Sequence, residues 1–210
     1  MQDRDAKNRS GPGFSRRDFL KGTGAAAVAT AMAAGEEAAA QKRPAVKNNV
    51  IPAEGAPLTL NVNGKDHDLG TVEPRVTLLS VLRNDLNLTG AKEADNVGAT
   101  GADTVIIDGK ATNADSVFAH ECAGKKIQTV ESLRNGNRVD EVVSGFVKHD
   151  ALQCGFCTPG FVMATRAFLN KKPKATLEEV HKGLGGNICR CGTYVGITQC
   201  ALEIAKKGGA

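Results

Sequence analysis

Aromatic side chains are scarce in this 210-residue chain, which has no Trp, one Tyr and 4% aromatic residues in all. This scarcity argues against a protein that binds single-stranded nucleic acid by stacking bases on aromatic rings. An excess of positive charge is also missing, because 27 Lys and Arg face 23 Asp and Glu, for a net charge of +4. Since a nucleic-acid partner requires many cations to neutralise its phosphates, we expect no such partner.

Long apolar segments are absent as well. No apolar run reaches about 18 residues without a charge, so the sequence predicts no membrane span. Six Cys are too few for a disulfide-rich scaffold of this length, whereas 41% hydrophobic residues suffice for a packed core. The length allows one large domain or two small ones.

The first 40 residues have the pattern of a twin-arginine signal peptide. The segment SRRDFLK at 15–21 precedes a weakly hydrophobic run of small residues at 22–35, and the Ala residues at 38–40 offer an A-x-A cleavage site. An Ala-rich helix at the N-terminus of a cytosolic protein is the alternative interpretation. We expect a periplasmic protein that is exported folded, a route that suits proteins that acquire a metal cofactor in the cytoplasm.

Two domains are predicted behind a linker at 41–56, which contains Pro44 and Pro52 and has no sustained period. Residues 57–131 predict a small α+β domain. An alternating strand at 58–62, the turn Asn63-Gly64 and a second strand to about Thr71 form a hairpin. A helical pattern at 77–86 follows, and then apolar strands at 104–107 and 127–130.

Residues 132–207 predict a bundle of four helices. The first helix carries an apolar stripe, which consists of Val139, Val142, Val143, Phe146 and Val147. The second spans 159–169 with Pro159 near its start, and Thr176 with Glu179 forms a capping box for the third. The fourth helix is expected at 193–206.

Four of the six Cys form two tight pairs, Cys154-x2-Cys157 and Cys189-x-Cys191, each in a Gly-containing break between predicted helices. Two such loops at one end of a bundle supply four thiolates, which suit zinc or an iron–sulfur cluster. Zinc pairs usually have two to four intervening residues, and a disulfide within C-x-C is strained, although cross-pairing between the loops is feasible. The iron–sulfur interpretation is therefore favoured over zinc and disulfides.

The segments QCGFCTPG (153–160) and GNICRC (186–191) resemble the C-terminal domain of the iron–sulfur subunit of xanthine oxidase-family molybdenum hydroxylases. The resemblance runs from about residue 57 to residue 204 and includes LTLNVNGK, VTLLSVLRNDLNLTGAK, TVIIDGK and TVESL. It implies a ferredoxin-like β-grasp domain followed by a helical domain that binds a 2Fe–2S cluster. The implied cluster ligands are Cys154, Cys157, Cys189 and Cys191, and the residues implied to touch the pterin of a partner chain are Gln153 and Cys191.

By this resemblance the chain is an electron-transfer subunit, and the catalytic site lies on a large partner subunit that carries the molybdopterin cofactor. The partner would oxidise an aldehyde or an N-heterocycle, and an FAD subunit or a cytochrome c would accept the electrons. The sequence itself shows no nucleophile–base pair. The second interpretation is a structural docking module that binds zinc or a vestigial cluster without electron transfer.

The chain departs from the family pattern in the predicted β-grasp domain. The resemblance implies a second 2Fe–2S cluster on C-x4-C-x2-C-x11-C, but the four positions hold Asp95, Thr100, Asp103 and Asp115. Oxygen ligands suit calcium, magnesium or manganese better than sulfide-bridged iron. We expect no cluster here and a solvated acidic loop near Lys92. A hard cation held by the three Asp is the first alternative, and a cluster without Cys is the second.

Two Cys lie outside both ligand patterns. Cys122 follows His120-Glu121, and Cys200 occupies an apolar position of the last predicted helix. Because free Cys is among the most buried residue types, we expect both to be small core residues. A Cys122–Cys200 disulfide formed after export is the alternative.

The export prediction is tested by replacing Arg16 and Arg17 with Lys. A receptor that reads the planar guanidinium groups does not accept ammonium groups in their place, so the double variant should accumulate in the cytoplasm. The measurement is the fraction of the protein in the periplasm after cell fractionation. The matched control is Arg4→Lys with Arg9→Lys, and unchanged periplasmic yield of the Arg16/Arg17 variant would reject the signal.

Overall fold

The computed structural model describes residues 50–208. The predicted signal peptide at 1–40 and the first part of the predicted linker, at 41–49, lie outside these residues. Within 50–208, every helix is too short or too polar to cross a bilayer.

A hairpin opens the fold. Strands β1 (Ala56–Val62) and β2 (Lys65–Val72) pair antiparallel around the predicted turn, where Asn63 and Gly64 both have positive φ angles, of 55° and 79°. Two successive positive φ values belong to the tight turns that match the twist of paired strands. The side chains of Leu58, Leu60 and Val62 alternate into the core. β1 begins at Ala56, one residue inside the predicted linker.

Three further strands complete a mixed sheet. These are β3 (Thr104–Ile107), β4 (Lys110–Asn113) and β5 (Lys126–Gln128), and the strand order is β2-β1-β5-β3-β4. β1 and β5 are parallel, whereas the other neighbours are antiparallel. β5 is shorter than the predicted 127–130, because the Thr129 N–H donates to the Asn63 side chain and a 3-10 helix (Val130–Leu133) follows.

A short helix from the same part of the chain packs on this sheet. It begins as α1 (Leu78–Ser80), capped by Thr77, and continues as a π-helical turn (Val81–Asp85). Its apolar residues Leu78, Leu79, Val81 and Leu82 are buried, as the helical pattern predicted. Two short 3-10 helices (Ala114–Ser116 and Ala119–Cys122) and a small hairpin of β6 (Arg134–Asn135) and β7 (Arg138–Val139) fill the connections.

Four helices form the rest of the described chain. They are α2 (Glu141–Lys148), α3 (Thr158–Lys171), α4 (Leu177–Gly183) and α5 (Tyr194–Lys207). The predicted capping box is present, because Thr176 and Glu179 accept each other's backbone N–H groups. The α+β fold, a β-grasp sheet followed by a helical bundle, is therefore confirmed.

The predicted apolar stripe of the first bundle helix is partly wrong. Val142 and Phe146 are buried and Val143 packs against the same core, but Val139 and Val147 are 44% and 71% exposed. Val139 belongs to β7, before the helix begins, and Val147 follows Phe146 by about 100° around the helix, which turns it out of the core.

The two leftover Cys lie in different hydrophobic cores. Cys122 is buried under the sheet, and Cys200 is buried among the helices. Their burial confirms the expectation of two core residues. Both thiols are free and lie in different cores, which excludes the Cys122–Cys200 disulfide. A third small cluster, of Ile106, Met163 and Ala167, places α3 directly on β3.

The contact between α2 and α5 generates a stability test at Gly145. A Cβ atom at this residue would lie 2.5 Å from the Cys200 Sγ, which is too close. We expect Gly145→Ala to lower the free energy of unfolding by about 1–3 kcal/mol through overpacking. Adding Cys200→Ala should recover part of this loss, because it removes the clashing sulfur.

Denaturant unfolding of the metal-loaded chain measures these changes. The control is Val147→Ala on the exposed side of α2, which should stay within about 0.5 kcal/mol. An unfolding curve of Gly145→Ala that equals the parent curve would show that α2 and α5 are not packed this closely.

Candidate iron–sulfur site

Two connections between helices, at one end of the helical bundle, carry the four predicted ligands. Cys154 and Cys157 lie between α2 and α3, and Cys157 is the N-cap residue of α3. Cys189 and Cys191 lie between α4 and α5. α3 has 14 residues and no acidic side chain in its first turn, so its N-terminus offsets part of the cost of a buried negative thiolate at Cys157.

The four thiols are neighbours. Cys189 and Cys154 are both near enough to Cys157 to contribute to raising the pKa of its thiol, and Cys154 and Cys189 act in the same way on Cys191. A 2Fe–2S cluster takes four protein ligands, two on each of its two irons. Four neighbouring thiols on two loops supply that number of ligands.

Two hydroxyl groups hold Cys189 in place. The Tyr194 hydroxyl accepts the Cys189 N–H over 2.8 Å, and the Thr193 Oγ1 lies 3.2 Å from the Cys189 Sγ. The Tyr194 ring meets the buried Phe161 ring edge-to-face, with 6.0 Å between the ring centroids. Sequence reasoning missed Thr193 and Tyr194. Hydroxyl residues four and five positions after a predicted ligand were the available signal.

Cys157 and Cys189 differ in their readiness to ionise. Burial, together with the neighbouring thiols of Cys189 and Cys154, raises the pKa of Cys157 to about 12. Burial is also the largest effect on Cys189 and opposes its ionisation, but hydrogen bonds from the Thr193 hydroxyl and backbone, from Cys157 and from the Cys191 backbone together lower its pKa to about 7. Since metal ligands are thiolates, loading this site releases protons.

A buried hydroxyl without a partner lies next to the pairs. The Thr158 Oγ1, adjacent to Cys157 in the chain, has no hydrogen-bond partner among the described residues. Buried polar atoms rarely stay unpaired, and a cluster or thiolate sulfur is an acceptor that would satisfy this one. The donor set and this unpaired donor both fit a 2Fe–2S cluster held by Cys154, Cys157, Cys189 and Cys191.

The surface around the cysteines is apolar. Phe156, Ile188 and Val195 are 49%, 51% and 70% exposed, and Leu152 and Tyr194 are also exposed. The two residues implied to contact a pterin, Gln153 and Cys191, are also exposed. Gln153 follows Leu152 directly in the sequence, and Cys191 lies three residues after Ile188. Exposed apolar side chains concentrated in this way are typical of a protein–protein interface.

The Asp and Thr side chains at the second-cluster positions make hydrogen bonds within their own loop. Asp95 accepts the backbone N–H groups of Val97, Ala99 and Thr100 over 2.9–3.0 Å, and it also accepts the Thr100 hydroxyl. The hydrogen bond from this hydroxyl is the main reason why the pKa of Asp95 is lowered to about 2. Asp95 therefore closes its own loop.

Asp103 and Asp115 form a buried pair, with 3% and 8% of their surface exposed. The Asp115 N–H donates to Asp103 Oδ2 over 2.7 Å, and the Gly98 N–H donates to Asp115 Oδ2 over 2.9 Å. Burial, with a smaller contribution from the Asp115 charge, raises the pKa of Asp103 to about 6.

The expectation of a solvated acidic loop is wrong for Asp103 and Asp115, which are buried, whereas Asp95 stays half-buried. The carboxylate oxygens that would bind a hard cation accept backbone N–H groups of the loop instead. The ammonium group of Lys92 donates to the Thr89 carbonyl and not to these carboxylates.

Known families match two parts of the chain. A family described as 2Fe-2S binding domain matches residues 129–202, and the twin-arginine translocation pathway signal sequence matches residues 13–33. The first match identifies the cofactor as a 2Fe–2S cluster rather than zinc, and the second confirms the predicted export signal.

Similar proteins have related descriptions. The aldehyde oxidoreductase iron-sulfur-binding subunit PaoA of Escherichia coli (strain K12) is 37% identical over 208 residues, which cover 91% of this chain and 88% of PaoA. The nicotine 6-hydroxylase small subunit of Paenarthrobacter nicotinovorans is 39% identical over 152 residues, which cover 72% of this chain and 91% of the relative.

Solved structures share the fold. Quinoline 2-oxidoreductase from Pseudomonas putida 86 matches with a TM-score of 0.67 and 33% identity, over 75% of this chain and 99% of the matched chain. Aldehyde oxidoreductase from Desulfovibrio gigas matches with a TM-score of 0.68 and 31% identity. That match covers 71% of this chain but 17% of the longer one.

Iron analysis tests the ligand set. The purified chain should contain about two iron and two sulfide, and Cys157→Ser should lose most of both because a hydroxyl is a poor ligand for a sulfide cluster. The control is Cys122→Ala, which removes a buried sulfur outside the site. A Cys157→Ser protein with the full iron content would contradict the assignment.

Proposed function

We propose that this chain, which belongs to the iron–sulfur subunits of xanthine oxidase-family molybdenum hydroxylases, serves a periplasmic aldehyde-oxidising enzyme through one 2Fe–2S cluster. The observation that carries the proposal is the grouping of Cys154, Cys157, Cys189 and Cys191 beside an exposed apolar surface. The chain is a non-catalytic electron-transfer subunit of an oxidoreductase, and the catalytic site belongs to the partner subunit.

The partner subunit is proposed to dock over the exposed apolar residues around the cysteines. Leu152, Phe156 and Ile188 would lose contact with water there, and Gln153 and Cys191 would face the pterin. Excluding water from this surface lowers the local dielectric around the cluster, which is one of the ways in which proteins set reduction potentials.

Oxidation of an aldehyde, with water as the source of the added oxygen atom, gives a carboxylic acid, two protons and two electrons. A bound 2Fe–2S cluster supplies a carrier that takes one electron at a time. The role of the chain is to hold this carrier: four thiolates bind it, Tyr194 fixes the Cys189 backbone, and Thr193 stabilises negative charge on the Cys189 sulfur.

The names of two relatives support an aldehyde as substrate. PaoA, which matches over 91% of this chain, and the Desulfovibrio gigas protein are both named as aldehyde oxidoreductases. An N-heterocycle is the other substrate class. The signal at 13–33 supports the periplasm as the compartment.

The route by which electrons leave follows from the missing thiolates. Asp95, Thr100, Asp103 and Asp115 offer no soft ligands, so we propose that no second cluster extends the path through the β-grasp sheet. The acceptor, an FAD subunit or a cytochrome c, would then take electrons from the single cluster.

The experiment compares two variants in the reconstituted complex with the molybdenum subunit. Cys191→Ser should abolish most steady-state turnover of an aldehyde with an artificial acceptor, because the reduced partner has no nearby carrier. Cys122→Ala should retain near-normal turnover. Binding of the partner, measured by co-elution, should survive in both variants because few interface residues dominate affinity.

Two outcomes would change the proposal. Near-normal turnover of Cys191→Ser would mean that the chain is not the electron path, and the structural docking module would take its place. Turnover of N-heterocycles but not of aldehydes would replace the substrate class and leave the electron-transfer role intact.

A further inference from the structure

The loop that carries the second-cluster positions is bonded to the segment before Cys189. The Ile188 N–H donates to the Thr100 carbonyl over 2.9 Å. The Asn187 side-chain amide, itself buried, donates to the Gly101 carbonyl over 2.7 Å and to the Thr104 hydroxyl over 3.1 Å. Three hydrogen bonds therefore join this loop to the two residues that immediately precede Cys189.

The same loop also touches α3, the helix whose N-cap residue is Cys157. A Cβ atom at Gly160 would lie 2.2 Å from the Gly101 carbonyl oxygen, and one at Gly101 would lie 2.7 Å from the Asn187 amide nitrogen. Gly101 also has a φ of 66°, which favours glycine. The backbone at Gly101 is thus held between both cysteine segments, with no room for a side chain.

Carboxylates organise this loop from within. Asp95 accepts four hydrogen bonds at one end, and Asp115 accepts the Gly98 N–H and the Ser116 hydroxyl at the other. Asp103 accepts the Asp115 N–H between them. Convergent backbone N–H groups that would otherwise lack partners are satisfied here by oxygens of the chain itself.

We propose that the loop at 95–115 is a metal-free positioning element, in which the buried carboxyl pair Asp103–Asp115 and the Asn187 bridge hold the two cysteine segments at the spacing that the 2Fe–2S cluster needs. Asp103 and Asn187 are positioning residues, since both act through the backbone at 100–104. The inference rests on the proposed function, because it assumes a cluster at Cys154, Cys157, Cys189 and Cys191.

The first experiment measures the cluster rather than turnover, in the purified full chain. Asp103→Ala removes the acceptor of the Asp115 N–H, and Asn187→Ala removes the bridge. Each should shift the reduction potential in an EPR-monitored titration and speed iron loss to a chelator several-fold. Asp103→Asn should behave like the parent, because its amide oxygen accepts the same N–H and its amide nitrogen can donate to Asp115.

An exposed carboxylate provides the charge control. Asp85→Ala removes one negative charge from the solvent-exposed end of the π-helical turn and should change neither readout. Because Asp103→Ala and Asn187→Ala remove different hydrogen bonds of the loop, one of them tests the inference even where the other fails to fold.

The second experiment follows thermal unfolding from pH 5 to pH 7.5. The pKa of Asp103 is raised to about 6 from an ordinary 3.8, so its contribution to stability is fully present below the ordinary value and is lost as the pH rises through 6. The negative charge of Asp115 adds to this upward shift of the pKa. The melting temperature of Asp103→Asn minus that of the parent should therefore increase with pH.

Three results decide the matter. Variants Asp103→Ala and Asn187→Ala that melt earlier but keep the parent's potential and iron-release rate would reduce the loop to an ordinary part of the fold and overturn the inference. A melting difference that stays constant with pH would remove Asp103 from the network. A parent chain with no reducible cluster would instead overturn the proposed function, which is a separate failure.

Discussion

The packing of helix α3 on strand β3 is the contact on which the rest of the molecule depends. Ile106 of the strand meets Met163 and Ala167 of the helix, and all three are buried. Because Cys157 caps this helix and Gly160 lies against the Gly101 carbonyl, the sheet fixes where the first cysteine pair lies. The bridge from Asn187 then places the second pair against the same loop.

Thiol and carboxylate side chains lie in different parts of this small protein. Soft thiols gather at an exposed, apolar end of the bundle, where a cluster can exchange electrons with a partner. Hard carboxylates occupy the loop at 95–115 and accept hydrogen bonds from backbone N–H groups of that loop. In the proposal made above, electron transfer and mechanical support are separate tasks of these adjacent segments.

Local patterns made much of this predictable. Asn63-Gly64 predicted the hairpin, Thr176 with Glu179 predicted the start of α4, and the two Cys segments lie in breaks between helices, as predicted. What the sequence did not reveal depends on contacts between distant residues. The burial of Asp103, the amide bridge from Asn187 and the outward turn of Val147 each result from packing that no local period encodes.

The most direct test of the central claim is an EPR spin count on the complex after reduction by an aldehyde substrate. Frozen samples should show one 2Fe–2S signal that integrates to about one spin per small subunit, because four thiolates hold one carrier and the oxygen loop holds none. Two distinct signals that approach two spins, or no signal after the molybdenum subunit has turned over, would contradict the account.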